Sequence, residues 1–461
     1  MASLNKNPII VIAGASGYIG KEMTLRLLEK FPTAQIIALS RTAQKSDDPH
    51  VTWQACDLFS LRSLEQALPK KIDLAVYLVH SMGPTAQLDQ GSFADYDLLL
   101  ADNFSRAIKN TGVQQLIYLG GLIPNTKKLS LHLQSRLEVE ETFSEYNLPT
   151  TIFRAGLILG DAGSSFQILI KLVKRLPIMI CPHWTQTLTT PVDLETVLTS
   201  LTSAALDLTL LGKTFDLAGC KSLTYMEMMN LTAKEMGLKR IFLKVPFFTP
   251  TLSRLWVSLI TNSPKDLVYP LIESLEHAMV ARPTNLFSDL GSHRTYRELL
   301  KNASLKSKSG RSFFRFRVQR KTVRSVQRLP LPEGKNAKWI NDQYVDWLPR
   351  FLAPLIVVKQ EGETTIFSLV GRRFSLLEMR LSTERSNEDR QLLYVNKGLL
   401  VSNDNKGRLE FRVVLNRRYV IAAIHDFKPA LPWYVYKYTQ AVLHLYVMNA
   451  FSKKLTNAKM L

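Results

Sequence analysis

Three glycines in the run Gly14-Ala-Ser-Gly17-Tyr-Ile-Gly20 follow the apolar stretch Ile9–Ala13 and open a helical pattern from Lys21. Each spacing answers a physical need. Gly14 permits a tight turn out of a strand, Gly17 lets the backbone approach a pyrophosphate, and Gly20 allows close contact between helix and sheet. The helix N-terminus then offers free N–H groups and a positive dipole end to phosphates. Ser16, Tyr18 and Ile19 complete this candidate dinucleotide loop. Strand, loop, helix and a following strand stand in the order such a site requires.

The end of the second strand discriminates between nucleotides. An NAD site carries an acid about 20 positions after the glycines, to bind the ribose 2′-hydroxyl. This chain reads Ala38-Leu-Ser40-Arg41-Thr42, with no acid between Glu29 and Asp47. Ser40 can hydrogen-bond a 2′-phosphate and Arg41 can pair with it. NADP(H) is therefore expected in preference to NAD(H).

The elements that position this loop follow from the hydrophobic pattern. Ile9–Ala13, Ile36–Leu39, Leu74–Val79, Leu116–Leu119 and Thr151–Arg154 read as strands. Lys21–Phe31, Leu61–Leu68, Phe93–Thr111 and Leu131–Tyr146 read as helices between them. Strands apolar on both faces and separated by helices imply a parallel sheet with both faces covered. The fold class expected is α/β, a doubly wound parallel-sheet Rossmann domain over 1–300, with 161–300 as its extension. Residues 301–322 read as a basic linker and 323–461 as an α+β domain. In that domain Leu409, Phe411, Val413 and Leu415 alternate with Arg408, Glu410 and Arg412, as in a strand. Pro432–Leu455 reads as a long final helix, with Tyr434, Tyr438, Ala441, Leu445 and Met448 forming one apolar stripe.

These segments resemble the extended and atypical short-chain dehydrogenase/reductase superfamily, especially its NmrA-like members. The resemblance is carried by VIAGASGYIG, Cys56-Asp57-Leu58, Tyr77-Leu-Val-His80-Ser-Met-Gly83, IYLGGL at 117–122, Phe153-Arg-Ala-Gly156 and Pro191-Val-Asp193. YLVHSMG, YLGGL, SLHLQSR and RLPIMICPHW further resemble a bacterial group in which this domain is fused to a C-terminal START-like domain. The resemblance implies that Asp57 and Leu58 contact an adenine, and that Val79, His80 and Ser81 border the nicotinamide ribose. It also implies an apolar small-molecule substrate and structural roles for Arg154 and Asp193. The loop Asp161–Gln167 is either part of the substrate pocket or an ordinary polar turn before a helix.

The catalytic positions depart from that family. Its enzymes use a Tyr-x-x-x-Lys pair, where the lysine lowers the tyrosine pKa for proton transfer. Here the corresponding place reads Ser130-Leu-His132-Leu-Gln-Ser-Arg136, and Gly120-Gly121 stand at the usual serine position. His132 and Arg136 keep the one-turn spacing and share a helix face. Three readings follow: His132 is an alternative acid in an oxidoreductase, the domain is a non-catalytic NAD(P)(H)-sensing regulator or assembly factor, or His132 has no role. Tyr118 and Tyr96 are substitute donors that nothing in the sequence positions.

The helix, antiparallel strands and final helix of the C-terminal part resemble the helix-grip, START-like (SRPBCC) fold. That resemblance implies a lipid, quinone or other apolar ligand. Trp339, Tyr344, Trp347, Phe351, Trp433 and Tyr438 either line such a cavity or fill a core.

Composition bounds the remaining choices. The 461 residues are 46% hydrophobic, too apolar for disorder and too long for one ordinary core. Three cysteines without paired spacing exclude a disulfide framework and a thiolate zinc site, and the remaining histidines show no ligand spacing, so no metal is expected. No stretch reaches the roughly 18 apolar residues of a membrane span, and MASLNKNPIIVIAG leaves no room for a signal peptide, so a cytoplasmic location is expected. Of the net charge of +20, residues 301–461 hold +18, with 30 Lys+Arg against 12 Asp+Glu. The basic, aromatic run at 306–328 is either a solvated connector or an anion-binding segment. Anionic membrane at the inner face is the preferred target, and nucleic acid is disfavoured because no binding motif accompanies the charge.

Overall fold

The computed structural model describes residues 7–81, 86–245, 250–287, 294–303, 322–354, 356–370 and 375–459. They fall into two compact units. The basic run between 304 and 321, and with it most of the expected linker, lies outside the described residues.

The first unit is built on seven parallel strands: β1 (Ile9–Ala13), β2 (Gln35–Ser40), β3 (Val51–Ala55), β4 (Leu74–Tyr77), β5 (Gln115–Gly121), β6 (Thr150–Ala155) and β7 (Thr214–Asp216). Their order is β7-β6-β5-β4-β1-β2-β3. The order reverses between β1 and β4, and doubly wound folds bind ligands in the crevice at such a point. Helices α1 (Tyr18–Lys30), α2 (Leu61–Ala67), α3 (Phe93–Lys109), α4 (Leu131–Glu145), α5 (Ser164–Arg175) and α6 (Leu194–Ala204) alternate with these strands. Helices α7 (Tyr225–Glu235), α8 (Pro250–Thr261), α9 (Lys265–Ser274) and α10 (Tyr296–Asn302) complete the unit.

The continuous apolar strands are explained by two cores. Ile10 and Ile12 pack with Met23 and Leu27 of α1 and Val197 and Leu201 of α6. Val11 and Ala13 join Leu64 of α2, Phe104 of α3 and Phe143 of α4. A third cluster, from Phe166 and Leu172 through Met228 to Leu299, holds α5, α7, α9 and α10 together. The regions of the chain expected to be structural behave so: Arg154 pairs with Glu140 at 2.5 Å, and Asp193 caps α6 and pairs with Arg294 at 3.0 Å.

The second unit takes residues 322–459 and also residues 86–99, from within the first 300. Its strands are β8 (Val323–Pro330), β9 (Ile356–Glu361), β10 (Thr364–Leu369), β11 (Ser375–Leu381), β12 (Arg390–Lys397), β13 (Arg408–Val414) and β14 (Tyr419–Phe427). They form one antiparallel sheet in the order β9-β10-β11-β12-β13-β14-β8. The short strand Leu88–Gln90 extends it, parallel to β8. Helix α11 (Ala337–Phe351) is followed much later by α12 (Trp433–Tyr438) and α13 (Gln440–Lys459). Tyr344 and Leu348 of α11 and Met448, Phe451 and Leu455 of α13 share a core with Leu409, Phe411 and Val413 of β13.

The alternation of β13 holds, and Glu410 and Arg412 on its polar side are buried too, 2% and 1% exposed. One expectation changes here. The final helix is two helices, because Thr439 (φ −123, ψ −85) breaks the run between them. The stripe therefore does not continue: Ala441 and Met448 are buried, while Tyr434 and Tyr438 stand in solvent.

Candidate active site

The glycine loop is shaped as its spacing requires. Gly14 has φ +90, a conformation that side chains disfavour, and a Cβ there would lie 2.9 Å from the Leu78 carbonyl oxygen. A Cβ on Gly20 would lie 2.2 Å from the Gly14 oxygen, so this turn of α1 can sit against the loop only as glycine. Gly17 caps α1 without a side-chain hydrogen bond. That leaves the first-turn amides to the cradle, the donor set a pyrophosphate needs. The residues present thus fit a dinucleotide.

The other expected nucleotide residues fall as follows. Ser40 ends β2, is buried, and donates its hydroxyl to the Thr42 carbonyl. Arg41 beside it is exposed. Asp57 accepts from the Phe59 amide at 3.3 Å, and the Leu58 carbonyl accepts from Asn103 at 2.9 Å. Past β4, His80 lines the cavity that contains the glycine loop, Val79 packs on the core beside α2 and α3, and Ser81 is buried.

That cavity has a volume of about 390 Å³. Gly14, Gly17, Tyr18, Ile19 and Gly20 line it, as do Gly120, Gly121, His132 and Arg136. Ser16, by contrast, is exposed. The glycines at the usual serine position have a packing reason at Gly120, where a Cβ would meet the Tyr118 ring at 2.9 Å and Glu140 at 3.3 Å. Apolar walls come from Ile168, Leu169 and Leu172 of α5 and Val268, Leu271 and Ile272 of α9, with Trp184 and Tyr225. The sequence marks only the loop Asp161–Gln167 of this region; Ser164 and Ser165 from it do line the cavity. The α9 wall carries no motif, since its residues are ordinary apolar positions of a helix.

Among the described residues lining the cavity, the titratable groups other than Arg136 are held neutral. Arg136 is buried and its guanidinium hydrogen-bonds His80 Nδ1. Arginine can only donate, so His80 Nδ1 accepts and the ring proton sits on Nε2. His80 is an exposed residue, yet surrounding protein, the Arg136 cation and His132 hold its pKa well below the ordinary value. His132 Nδ1 lies 2.9 Å from Ser274 Oγ. Ser274 Oγ is also within 3.0 Å of the Pro270 carbonyl, to which it can donate. Burial and then Arg136 lower the His132 pKa to about 3. Ser130, which caps α4, completes the network 3.1 Å from Ser274.

The phenols lie at the other extreme. Tyr18 donates to Asp161 Oδ1 at 2.9 Å, and burial together with that carboxylate raises its pKa. Burial likewise raises Tyr225. Tyr118 is stacked edge-on to Phe143 in the core on the α3–α4 side and does not line the cavity, while Tyr96 belongs to the second unit.

Comparison with known proteins agrees with this geometry. The NAD dependent epimerase/dehydratase family matches residues 10–128. The Auxiliary protein GraX of Staphylococcus aureus is 34% identical over 116 residues, which make up 25% of this chain and 36% of GraX. The chain thus spans about a third of the length of that relative. The structure of Citrobacter sp. triphenylmethane reductase complexed with NADP(H) is 17% identical with a TM-score of 0.51, over 64% of this chain and 100% of that one. That of the Escherichia coli NADPH-dependent quinone oxidoreductase QOR2 complexed with NADPH is 16% identical with a TM-score of 0.50, over 64% and 99%. At these identities the likeness is one of fold: the chain carries an NAD(P)-binding fold of the Rossmann type.

Proposed function

We propose that this chain is an NADP(H)-dependent oxidoreductase that reduces an apolar, conjugated acceptor without a protein acid. The observation that carries this reading is a single cavity lined by the glycine loop, the Arg136 guanidinium and the apolar walls of α5 and α9. Gly14–Gly20 and the start of α1 hold the pyrophosphate, Arg41 with Ser40 takes the 2′-phosphate, Asp57 and Leu58 border the adenine, and Val79, His80 and Ser81 border the ribose. When bound, the reduced nicotinamide supplies a hydride.

The acceptor class follows from what the side chains can do. An ordinary ketone becomes an alkoxide on reduction and needs a proton donor with a pKa near the working pH. His80 and His132 are neutral, their pKa values lie below that range, and Tyr18 and Tyr225 lie above it. A quinone-type carbonyl spreads the added charge over its ring, and the Arg136 cation stabilises that anion until water protonates it. An organic cation becomes neutral and needs no acid either. The fold shared with a triphenylmethane reductase and a quinone oxidoreductase supports both acceptors. The strand order of the second unit, with α11 and α13 on one face, supports the helix-grip, START-like reading and a role in binding an apolar ligand.

Fluorescence titration with NADPH and NADH tests the shared premise. NADPH binds at least tenfold more tightly, and Arg41→Ala removes most of that preference, as loss of a charge-assisted phosphate pair would. Failure to bind either nucleotide overturns the proposal. Binding without oxidation by any quinone or cationic dye would instead favour the sensing regulator.

A further inference from the structure

Between Tyr434 and Tyr446 five large apolar side chains stand in solvent: Tyr434, Tyr438, Val442, Leu443 and Tyr446, with exposures from 48% to 72%. Other exposed large apolar residues among the described residues of the second unit, Val357, Val370 and Leu399, are scattered along it. Scattered ones need no explanation, whereas a cluster does. Its origin lies in the break at Thr439. Beyond the break, α13 sets Ala441, Val447, Met448, Phe451 and Leu455 into the core, and a second apolar face, Val442, Leu443 and Tyr446, is left outside.

Along the segment itself the charge has one sign: from Trp433 to the last residue there are four lysines and no Asp or Glu. Lys428, just before it, is paired with Asp404. Lys437 and Lys453 are exposed, and the Lys437 ammonium lies 5.5 Å from the Tyr438 ring. No helix among the described residues is long and apolar enough to cross a membrane.

We propose that α12 and the first turns of α13 dock this protein on an anionic lipid surface. Tyrosine rings, apolar in body and polar at the tip, suit the headgroup layer, where Val442 and Leu443 reach the acyl boundary. The lysines supply the attraction to anionic headgroups. A second copy of the chain fits less well, because α12 and α13 carry lysines and no Asp or Glu, so two copies of this segment would repel. Nucleic acid fits less well too, since the aliphatic pair interrupts the rings on which bases would stack. The inference is independent of the reductase reading, because it uses no residue of the cavity.

Co-sedimentation of the full chain with phosphatidylcholine vesicles, with and without phosphatidylglycerol, tests it. The chain pellets with the anionic vesicles, and less so in high salt. Tyr438→Glu with Leu443→Glu lowers the partition coefficient at least about tenfold, and Lys437→Ala lowers it by about fivefold. Both variants keep the wild-type thermal melting temperature, since the positions are exposed. No pelleting with anionic vesicles, or pelleting that the variants leave unchanged, overturns the proposal. So does self-association, or duplex binding, that the double variant abolishes while vesicle binding persists.

Discussion

The two units handle charge in opposite ways. In the first, the two cavity histidines carry no proton at neutral pH: burial and then Arg136 hold His132 uncharged, and the surrounding protein with the Arg136 cation does the same for the more exposed His80. In the second, charge is built into the sheet itself. Glu410 pairs with Arg390 and Arg412 at 2.5 Å and with His425 at 3.2 Å, all within buried or nearly buried surroundings. Burial opposes a carboxylate there, but Arg412, His425 and Arg390 outweigh it and keep the Glu410 pKa well below the usual range. One unit thus spends its field on an open cavity, and the other locks it inside.

That contrast can be broken most strongly at Glu410. Glu410→Ala strands two buried arginines and destabilises the second unit by about 3–5 kcal/mol, measured by denaturant unfolding. NADPH affinity should survive this change if the units are energetically separate. Gly20→Ala is the counterpart in the first unit. Its Cβ cannot fit at 2.2 Å from the Gly14 oxygen, and overpacking of this kind costs about 1–3 kcal/mol and displaces the phosphate cradle. Nucleotide binding is then lost while the second unit melts as before.

Acid separates the units less and so sharpens the comparison. His132 is lowered to about 3, and His425 and His444 to about 4, in each case first by burial. A histidine that stays neutral in the fold but takes a proton near pH 6.5 when unfolded gives stability that is complete above that pH. It is lost as pH falls toward the folded value, by up to about 1.4 kcal/mol per pH unit for each such histidine. Melting temperature should therefore decline from pH 6.5 to 4.5 in both units. Glu410 adds a further loss in the second, only below the ordinary glutamate range. A flat profile over that interval contradicts the neutral assignment.

The smallest expected effect is His132→Ala. Removing a general acid costs about 10²–10⁴ in rate. Here the change should stay within about tenfold, because the ring only braces Ser274 and α9. A loss of a thousandfold would restore the acid reading and undo the contrast.

The parts of the fold legible in the sequence are those where a residue type has one physical use. The glycine loop, the parallel strands and their helices were fixed by turn chemistry and by apolar runs with no polar alternation. The β13 alternation showed a strand but not its cover: nothing in it tells that Glu410 meets Arg390 and His425, 20 and 15 residues away on the two neighbouring strands. The stripe Tyr434 to Met448 assumed one unbroken helix, and a single backbone at Thr439 changed which residues face out. The Ser130–Ser274–His132 network joins positions 144 residues apart, a pairing no local spacing encodes.

The central claim is hydride transfer without a protein acid, and its direct test is a single-turnover pH profile. NADPH and NADPH deuterated at C4 would each be mixed with the protein and a water-soluble quinone, from pH 5.5 to 8.5. A primary isotope effect on a rate that stays flat across the range is the result expected. A rate that titrates with a pKa near 6 to 7, and loses that dependence in His132→Ala, would contradict it.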